Sequence, residues 1–527
     1  MSFCHKFIAA AMFLVVCCVA SARPGPETVS PESAATYMEI SISNWDIANS
    51  FPETAGDDPA RRYLEERFGI TFRPAGITWG DANEKLNIWA ASGQLPDIIG
   101  GISTVGDGRY HQWIEDNLVQ PLPRDLSGFP NILKYVDTPE VQVFNVGGRT
   151  YLLPRVTYED ASWWAMDRGL LIRKDWREEL GIPMPVSDDE FIDMCVRFAT
   201  ADPDGDGVDN TVGLTIAGIG FLWSQSFPNY GFTDARWIED TDGNYRLGHT
   251  TRRAFELFGF LRRLYRRGGL DPDFAISSQD PAIDSFSSGH AGVLARQVSP
   301  KHLDKVASVW AKLQPDHGFE ESVEIFHPWA VRGQETEMFV EKSYWSETYI
   351  EASVTAPKMS KILELFDFLY SDEGIALCYL GFEGEDYTHV NGTVQPLKID
   401  QDGNPMSAGD LYPIMRGGMA YQAVWGDIIQ YNNPSIPSSV IAMSRTERDY
   451  RLAHYRVPDV DWAVQAINVP QKQSLGIEFG ADWIRFILDE SGLADEQLFA
   501  EMKERWRANG YDAAVDAVTA EARRMGK

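Results

Sequence analysis

Met38-Glu39-Ile40-Ser41-Ile42-Ser43 alternates apolar and polar residues, as a strand with one buried face does. Asp58-Pro59 then supplies a capping side chain followed by proline at the first helical position. That helix is expected to run to about residue 68, where Gly69 closes it. A strand near 70–72 comes next, then a helix over about 81–92 stopped by Gly93. Leu95-Pro96-Asp97-Ile98-Ile99 leads into a third strand. Strand and helix alternate throughout this stretch, which predicts an α/β layer architecture.

The pattern continues outward. Gly169-Leu170-Leu171-Ile172 reads as a short apolar strand, and Asp175 to Leu180 as a short helix ended by Gly181. Ser187 and Glu190 form an S-x-x-E capping box that opens a helix with Phe191, Met194, Cys195 and Phe198 on one face. Ala254, Leu257, Phe258, Leu261, Leu264 and Tyr265 recur at helical spacing before Gly268-Gly269. Ser360 reads as the cap of a helix with Ile362, Leu365, Phe366 and Leu369 inward. A chain of 527 residues exceeds one ordinary core and implies two or three domains.

The N-terminus reads as an export signal. Lys6 precedes an apolar run from Phe7 to Val19, and Ala20-Ser21-Ala22 offers a small-x-small cleavage site. Residues 1–22 are therefore expected to be removed, and the Pro/Ser/Glu-rich residues 23–36 to form a flexible leader. Cys17 and Cys18 raise a second option, a lipid anchor, although Val16 is a poor residue to precede a lipidated cysteine. The protein is thus expected to be exported, periplasmic or held at the cell surface. Only Cys195 and Cys378 lie beyond this segment, too few for a disulfide framework. The formal net charge of −30 repels nucleic acid and anionic membranes.

Residues 202–213 read Asp-Pro-Asp-Gly-Asp-Gly-Val-Asp-Asn-Thr-Val-Gly. Asp202, Asp204 and Asp206 alternate, and the turn at Gly207 lets their carboxylates converge on one hard cation. Val208 would offer its carbonyl, and Asn210 an amide oxygen, with Thr211 or Asp209 completing the set. The glutamate expected at the twelfth position is replaced by Gly213, so a structural Ca²⁺ clip fits better than a regulatory loop. The competing reading is a solvated Asp/Gly turn.

No G-x-x-x-x-G-K-[ST], H-E-x-x-H or G-x-S-x-G motif occurs, and the nine histidines are scattered. No catalytic residue is assigned. Paired carboxylates for glycoside cleavage converge only in the fold, so a secreted lyase or hydrolase stays open as the alternative.

Six segments, in order, carry a resemblance. They are Ala91 to Ile98; Leu171-Ile172-Arg173-Lys174-Asp175-Trp176 with its continuation to Phe191; the 202–213 loop; Leu264 to Asp273; Phe286 to Gly292; and Phe366 to Gly374 with Gly381 to Tyr387. Together they resemble the family 1 extracellular solute-binding proteins of bacterial ABC importers, in the large oligosaccharide-binding and lipoprotein-like branch. The resemblance implies a periplasmic-binding-protein-like fold with a hinge and an interlobe ligand cleft. It implies lobe 1 over 37–155 and about 325–372, and lobe 2 over 156–324 and about 373–527, the latter holding the calcium-type loop. It also implies a carbohydrate ligand, an oligosaccharide, delivered to permease subunits by a monomer. A ligand sensor would look the same.

Sugars present apolar C–H faces to aromatic rings and hydroxyls to polar groups. Aromatics in turn-rich stretches are the candidates: Trp45, Trp79, Trp163, Trp164, Trp223, Tyr230 and Trp425. Core packing is the alternative for each. Asp97, at a strand end, could bind hydroxyls or cap a helix; Arg155 and Asp46 are weaker candidates. Trp89 and Trp506 fall in helical patterns and read as core.

Overall fold

The computed structural model describes residues 37–527, apart from 46, 52–57, 79, 106–107, 159–160, 223–225, 232, 332, 334, 402, 421 and 426–429. The expected signal segment and leader lie outside the described residues. The first five strands are β1 (Met38–Ser43), β2 (Ile70–Pro74), β3 (Ile98–Ile102), β4 (Val119–Gln120) and β5 (Leu153–Val156). β1 pairs in parallel with β2 and β3. The local signals behave as expected. Asp58 accepts from the Ala60 and Arg61 amides ahead of the helix Pro59–Phe68, and Gly69 closes it at φ +64°.

After β5 the chain leaves this sheet and builds another. Its strands are β6 (Gly169–Arg173), β7 (Val212–Ile216), β10 (Ala291–Arg296) and β11 (Val323–Ile325), with a small hairpin of β8 (Trp237–Glu239) and β9 (Tyr245–Leu247) beside it. The order is β11-β6-β10-β7, with β7 and β10 parallel and the other two pairings antiparallel. The chain then returns. β12 (Tyr344–Glu351) enters the first sheet antiparallel to β3, β4 and β5, giving the order β2-β1-β3-β12-β4 with β5 also on β12. A hairpin of β13 (Tyr387–Val390) and β14 (Thr393–Pro396) follows.

Each sheet has its own core. Ile40, Ile42, Ile98, Leu153 and Ile350 pack with Ile362, Leu365 and Phe366 around the first. Leu170, Phe191, Leu214, Leu257 and Val293 pack with Trp310, Trp483, Phe499 and Trp506 around the second. Trp483 stacks on Phe258 with ring centroids 4.4 Å apart, which fixes the C-terminal helices to the second sheet. Cys195 and Cys378 are buried and unbridged.

Two expectations change. The helix carrying Ile362 begins at Ala356, behind Thr355 and with Pro357 in its first turn, and Ser360 lies inside it. The segment after 372 does not pass directly to the second core. Leu377, Cys378, Ala408, Tyr412, Ile414, Met415 and Val424 bury against the first sheet. The Ile414 amide donates to Asp58 at 2.9 Å, and Asn44 Nδ2 to the Gly418 carbonyl at 2.6 Å. The helix Asp372–Leu380 follows the helix Ala356–Leu369 after a tight turn and stays on the same body.

The chain therefore passes between the two cores three times, over 156–169, 325–344 and 425–436. The helix Ser438–His454 braces two of these passages. Its Arg451 pairs with Glu447 at 2.5 Å and donates to the Ala165 carbonyl at 2.7 Å and to the Arg168 carbonyl. Glu447 also bonds His327. Among the described residues, no helix is long and apolar enough to cross a membrane.

His249 lies in the second core, stacked on Phe479 with centroids 5.8 Å apart. Burial holds its imidazole down at about 4, against the opposing pull of Asp234. On acidification the unfolded chain takes this proton first, near pH 6.5, while the folded protein stays neutral there until pH about 4. Stability is then fully present above 6.5 and falls as pH drops through that window, by about 3 kcal/mol in all. Urea unfolding at stepped pH should show this fall, and His249→Gln should make it shallower.

Candidate ligand-binding site

The carboxyl ends of β1 and β3 open toward the passages between the cores, the place where open α/β sheets form crevices. The backbone there is tightly placed. Gly101 sits at φ +66°, and a Cβ on it would lie 2.9 Å from the Trp45 ring. A Cβ on Gly100 would meet the Gln422 amide at 2.1 Å. The positive φ requires glycine at 101, and the bare backbone at 100 lets the Gln422 amide lie against the strand end. Thr348 donates to Gln422 at 2.9 Å. The buried Glu347 carboxylate accepts from the Thr104 amide at 2.9 Å, and the Thr104 and Tyr349 hydroxyls bond at 2.7 Å. Burial, with Glu347 beside it, pushes the Tyr349 hydroxyl well above its ordinary range.

Half-buried rings stand beside this polar network. Trp45 and Trp345 stack with centroids 6.4 Å apart and planes 29° apart. The Arg155 guanidinium lies 5.0 Å from the Trp345 centroid and 4.3 Å from that of Trp425, while its Nε donates to Ser346 at 3.0 Å. The Trp425 amide donates to the Val156 carbonyl at 3.0 Å, which ties it to the first passage. From the second core, Lys301 brings its ammonium to 5.0 Å from the same Trp425 ring. Trp163 meets Tyr431 edge-on at 5.3 Å.

Between the two cores runs a groove of about 2080 Å³, lined among others by Lys301, Asp304, Tyr379, Asp410, Arg416 and Tyr431. That exceeds the space a drug-sized ligand takes and suits an extended one. Lys301 keeps solvent contact, yet protein from both bodies surrounds it. Lost hydration, with Arg155 nearby, holds its amine down at about 8.

Of the residues singled out from sequence, Trp45, Trp163 and Trp425 come to this junction, and so does Arg155. Trp164 does not. It is 2% exposed, its indole N–H donates to the Lys342 carbonyl at 3.0 Å, and its ring packs on Tyr158. Tyr230 is likewise in the second core, stacked on Phe260, with its hydroxyl donating to Asp188 at 2.8 Å. Asp97 stands before β3, at the end away from the crevice. It accepts from the Ser41 amide and hydroxyl and pairs with Lys358 at 2.9 Å, so it staples strands together. Trp79, Trp223 and Asp46 lie outside the described residues. Trp89 is partly buried against the first core, and Trp506 is buried in the second. Trp345, Lys301 and Gln422 were not foreseen. Trp345 had a weak signal, because it alternates with the buried Tyr344 on a strand and so faces the other way.

The acidic loop is also built as a cluster. The carboxylates of Asp202, Asp204 and Asp206 reach within 4.8 Å of one another. Asp202, Gly205 and Gly207 all take positive φ, which curls the loop. Gly207 N donates to Asp202 at 3.1 Å, Val208 N to Asp206 at 2.7 Å, and Asn210 Nδ2 to Asp206 at 3.0 Å. Burial, then Asp202 and Asp206 as neighbours, raises the Asp204 carboxyl above its ordinary range. Crowded oxygens of this kind fit a hard divalent cation. The Thr211 side chain points elsewhere. Its buried hydroxyl donates to the Phe198 carbonyl at 2.9 Å and ties the loop to the helix Asp188–Thr200.

No protein-family model matches the chain. Lipoprotein LipO of Bacillus subtilis (strain 168) is 24% identical over 369 residues, 66% of this chain and 68% of its own. The polygalacturonan/rhamnogalacturonan-binding protein YtcQ of the same organism is 24% identical over 367 residues, 66% and 69% of the two chains. Among solved structures, an EF-hand mutant of the S. pneumoniae ABC-transporter substrate-binding protein FusA, in complex with fructo-nystose, superposes with a TM-score of 0.69. It is 16% identical and covers 93% of this chain and 100% of its own. The fold is that of the two-lobed solute-binding proteins. The chain is a homologue of the substrate-binding proteins of ABC transporters.

The two tryptophan environments make opposite predictions. Trp164→Ala should cost about 3–5 kcal/mol of stability, the usual cost of emptying a core position. Trp425→Ala should cost no more than about 1–2 kcal/mol and should instead weaken ligand binding. Urea melts of both variants, beside titration calorimetry of the second, check this.

Proposed function

We propose that the protein captures an oligosaccharide outside the cytoplasm, as a monomer, and hands it unchanged to the permease subunits of an ABC importer. The observation that carries this reading is the junction between the cores. Trp45, Trp345, Trp425 and Trp163 are only half buried there, beside Thr104, Glu347, Thr348 and Gln422. Flat rings take the C–H faces of a sugar, the buried polar network holds those rings in place, and exposed groove groups such as Lys301, Asp410 and Arg416 take its hydroxyls. The homologues support it too. YtcQ is named for binding polygalacturonan and rhamnogalacturonan, and FusA holds fructo-nystose. Both are binding proteins, and binding needs contacts in the closed ground state rather than in a transition state.

In this reading the first lobe comprises 37–156 and 344–425, the second 169–326 and 436–527, and the three passages form the hinge. Closure of the lobes traps the sugar. Residues 1–22 serve as the export signal, with Arg23 as the mature start or a lipid on Cys17 or Cys18. A relative that is named a lipoprotein supports export by either route. The 202–206 acids hold one structural Ca²⁺, with the Val208 carbonyl and Asn210 amide as further oxygens. The EF-hand named in FusA supports this assignment.

Calorimetric titration with fructans, galacturonans and mannans should find a ligand, and chromatography after long incubation should recover it at its original length. Shortened sugar would show an enzyme instead. Removing calcium with a chelator should lower the melting temperature without unfolding the protein, because the loop clips only local structure. Asp204→Ala should melt lower and lose the calcium response. Identical melting of the native protein with and without calcium would rule out the metal site.

A further inference from the structure

We propose that the segment 465–473 of the second lobe is a latch: it seats on Val105, Gly108 and His111 of the first lobe, at the rim of the crevice, and secures the closed state. This rests on the two-lobed hinge reading above. It adds a contact that none of the three passages supplies.

One short segment serves both bodies. Val464 and Ile467 are buried in the second core, while Ala466, next to Ile467, packs against the cluster of Val105, Tyr110 and Trp113 on the first sheet. Gln465 exchanges two hydrogen bonds with the Trp237 backbone. Its Nε2 donates to the carbonyl at 2.7 Å, and its Oε1 accepts from the amide at 2.9 Å. That fixes the segment to β8. The Lys472 ammonium donates to the Gln465 and Ile467 carbonyls at 2.6 and 3.0 Å, which folds the segment back on itself. Gln473 then lies against the first lobe. A Cβ on Gly108 would stand 3.7 Å from the Gln473 Cβ and Cγ.

The first-lobe side of this contact continues the crevice wall. β3 ends at Ile102, and Thr104, whose amide bonds Glu347, comes just before Val105. Gly108 leads into the helix Arg109–Glu115. No passage of the chain crosses between the bodies here, so the contact parts when the lobes open and forms again when they close. The seam is tight. It encloses about 40 Å³, against about 2080 Å³ in the groove. A gap that small holds no sugar, so the contact serves closure itself. Its lining is mostly polar, with His111, Asn468, Lys472 and Gln473 beside Val105 and Ala466. Polar surfaces of this kind between domains permit relative motion.

Gly108 is the place to test it. Its φ of −67° suits any residue, so a substitution there strains no backbone. A Cβ–Cβ separation of 3.7 Å is also that of a disulfide.

Gly108→Cys combined with Gln473→Cys should therefore crosslink under mild oxidation, with peptide mapping finding the 108–473 bond. Cys195 and Cys378 are buried and do not compete. Gly128→Cys combined with Gln473→Cys is the control, because a Cβ at Gly128 meets no atom within 4 Å. It should stay reduced. Small-angle scattering should give a smaller radius of gyration for the crosslinked protein than for the same protein reduced. Absence of the bond, equal crosslinking of the control pair, or an unchanged radius overturns the latch. Nystose and tetragalacturonate serve as binding probes. Gly108→Trp, a wedge in the seam, should weaken whichever binds by about tenfold without lowering the melting temperature, since apparent affinity falls with the fraction able to close. Gly108→Ala should bind as the native protein does. Undiminished affinity in Gly108→Trp overturns the latch as well. If the native protein binds neither probe, the carbohydrate reading loses its support, and the disulfide and the radius still decide the latch.

Discussion

The first sheet cannot be completed by neighbouring sequence, because its central strand is β12, which comes from residues 344–351. β3, β4 and β5 all pair with it, and without it the β2-β1-β3 group, β4 and β5 would be three separate pieces. The chain must therefore leave the sheet, build a second core and return. That return is what makes two bodies joined by several strands of chain instead of two beads on one linker. Three connections leave the two bodies less freedom than a single linker would, which suits the hinge proposed above.

The same constraint places the chemistry. β12 brings the half-buried Trp345 to the junction and buries Ser346, Glu347, Thr348 and Tyr349 behind it, beside the ends of β1 and β3. Arg155 leaves the sheet on β5 just before the first passage, and Trp425 is held to that passage through Val156. Lys301 comes from the other core to the same ring. The candidate site is thus assembled from segments far apart in sequence. The buried Glu447–Arg451 pair holds the passages that bring them together. Removing one partner of such a pair would leave a buried charge uncompensated.

Much of the fold was legible because it is written locally. Alternation in 38–43, the Asp58-Pro59 cap and the Ser187 cap each depend on a few adjacent residues, and each forms as expected. At Ser187 the partner Glu190 reaches the Val186 amide, a small variation on the expected box. Which sheet a helix joins is not written locally. Residues 377–424 carry the same amphipathic signals wherever they pack, so their place on the first core was invisible. Which candidate aromatics reach the junction is not written locally either. A turn-rich neighbourhood says that Tyr230 leaves a helix or strand, but not that it is buried on Phe260. Nothing local marks Trp345, which alternates with the buried Tyr344 on a strand, or Lys301, in the first turn of its helix. Only the meeting of the two cores brings those side chains to one junction.

If two lobes close on a sugar held at the junction tryptophans, the molecule becomes more compact on binding. Small-angle X-ray scattering measures that directly on the native protein, free and saturated with whichever oligosaccharide binds it most tightly. The radius of gyration should be smaller in the complex, with no change in oligomeric state. An unchanged radius at saturation would contradict closure on the sugar.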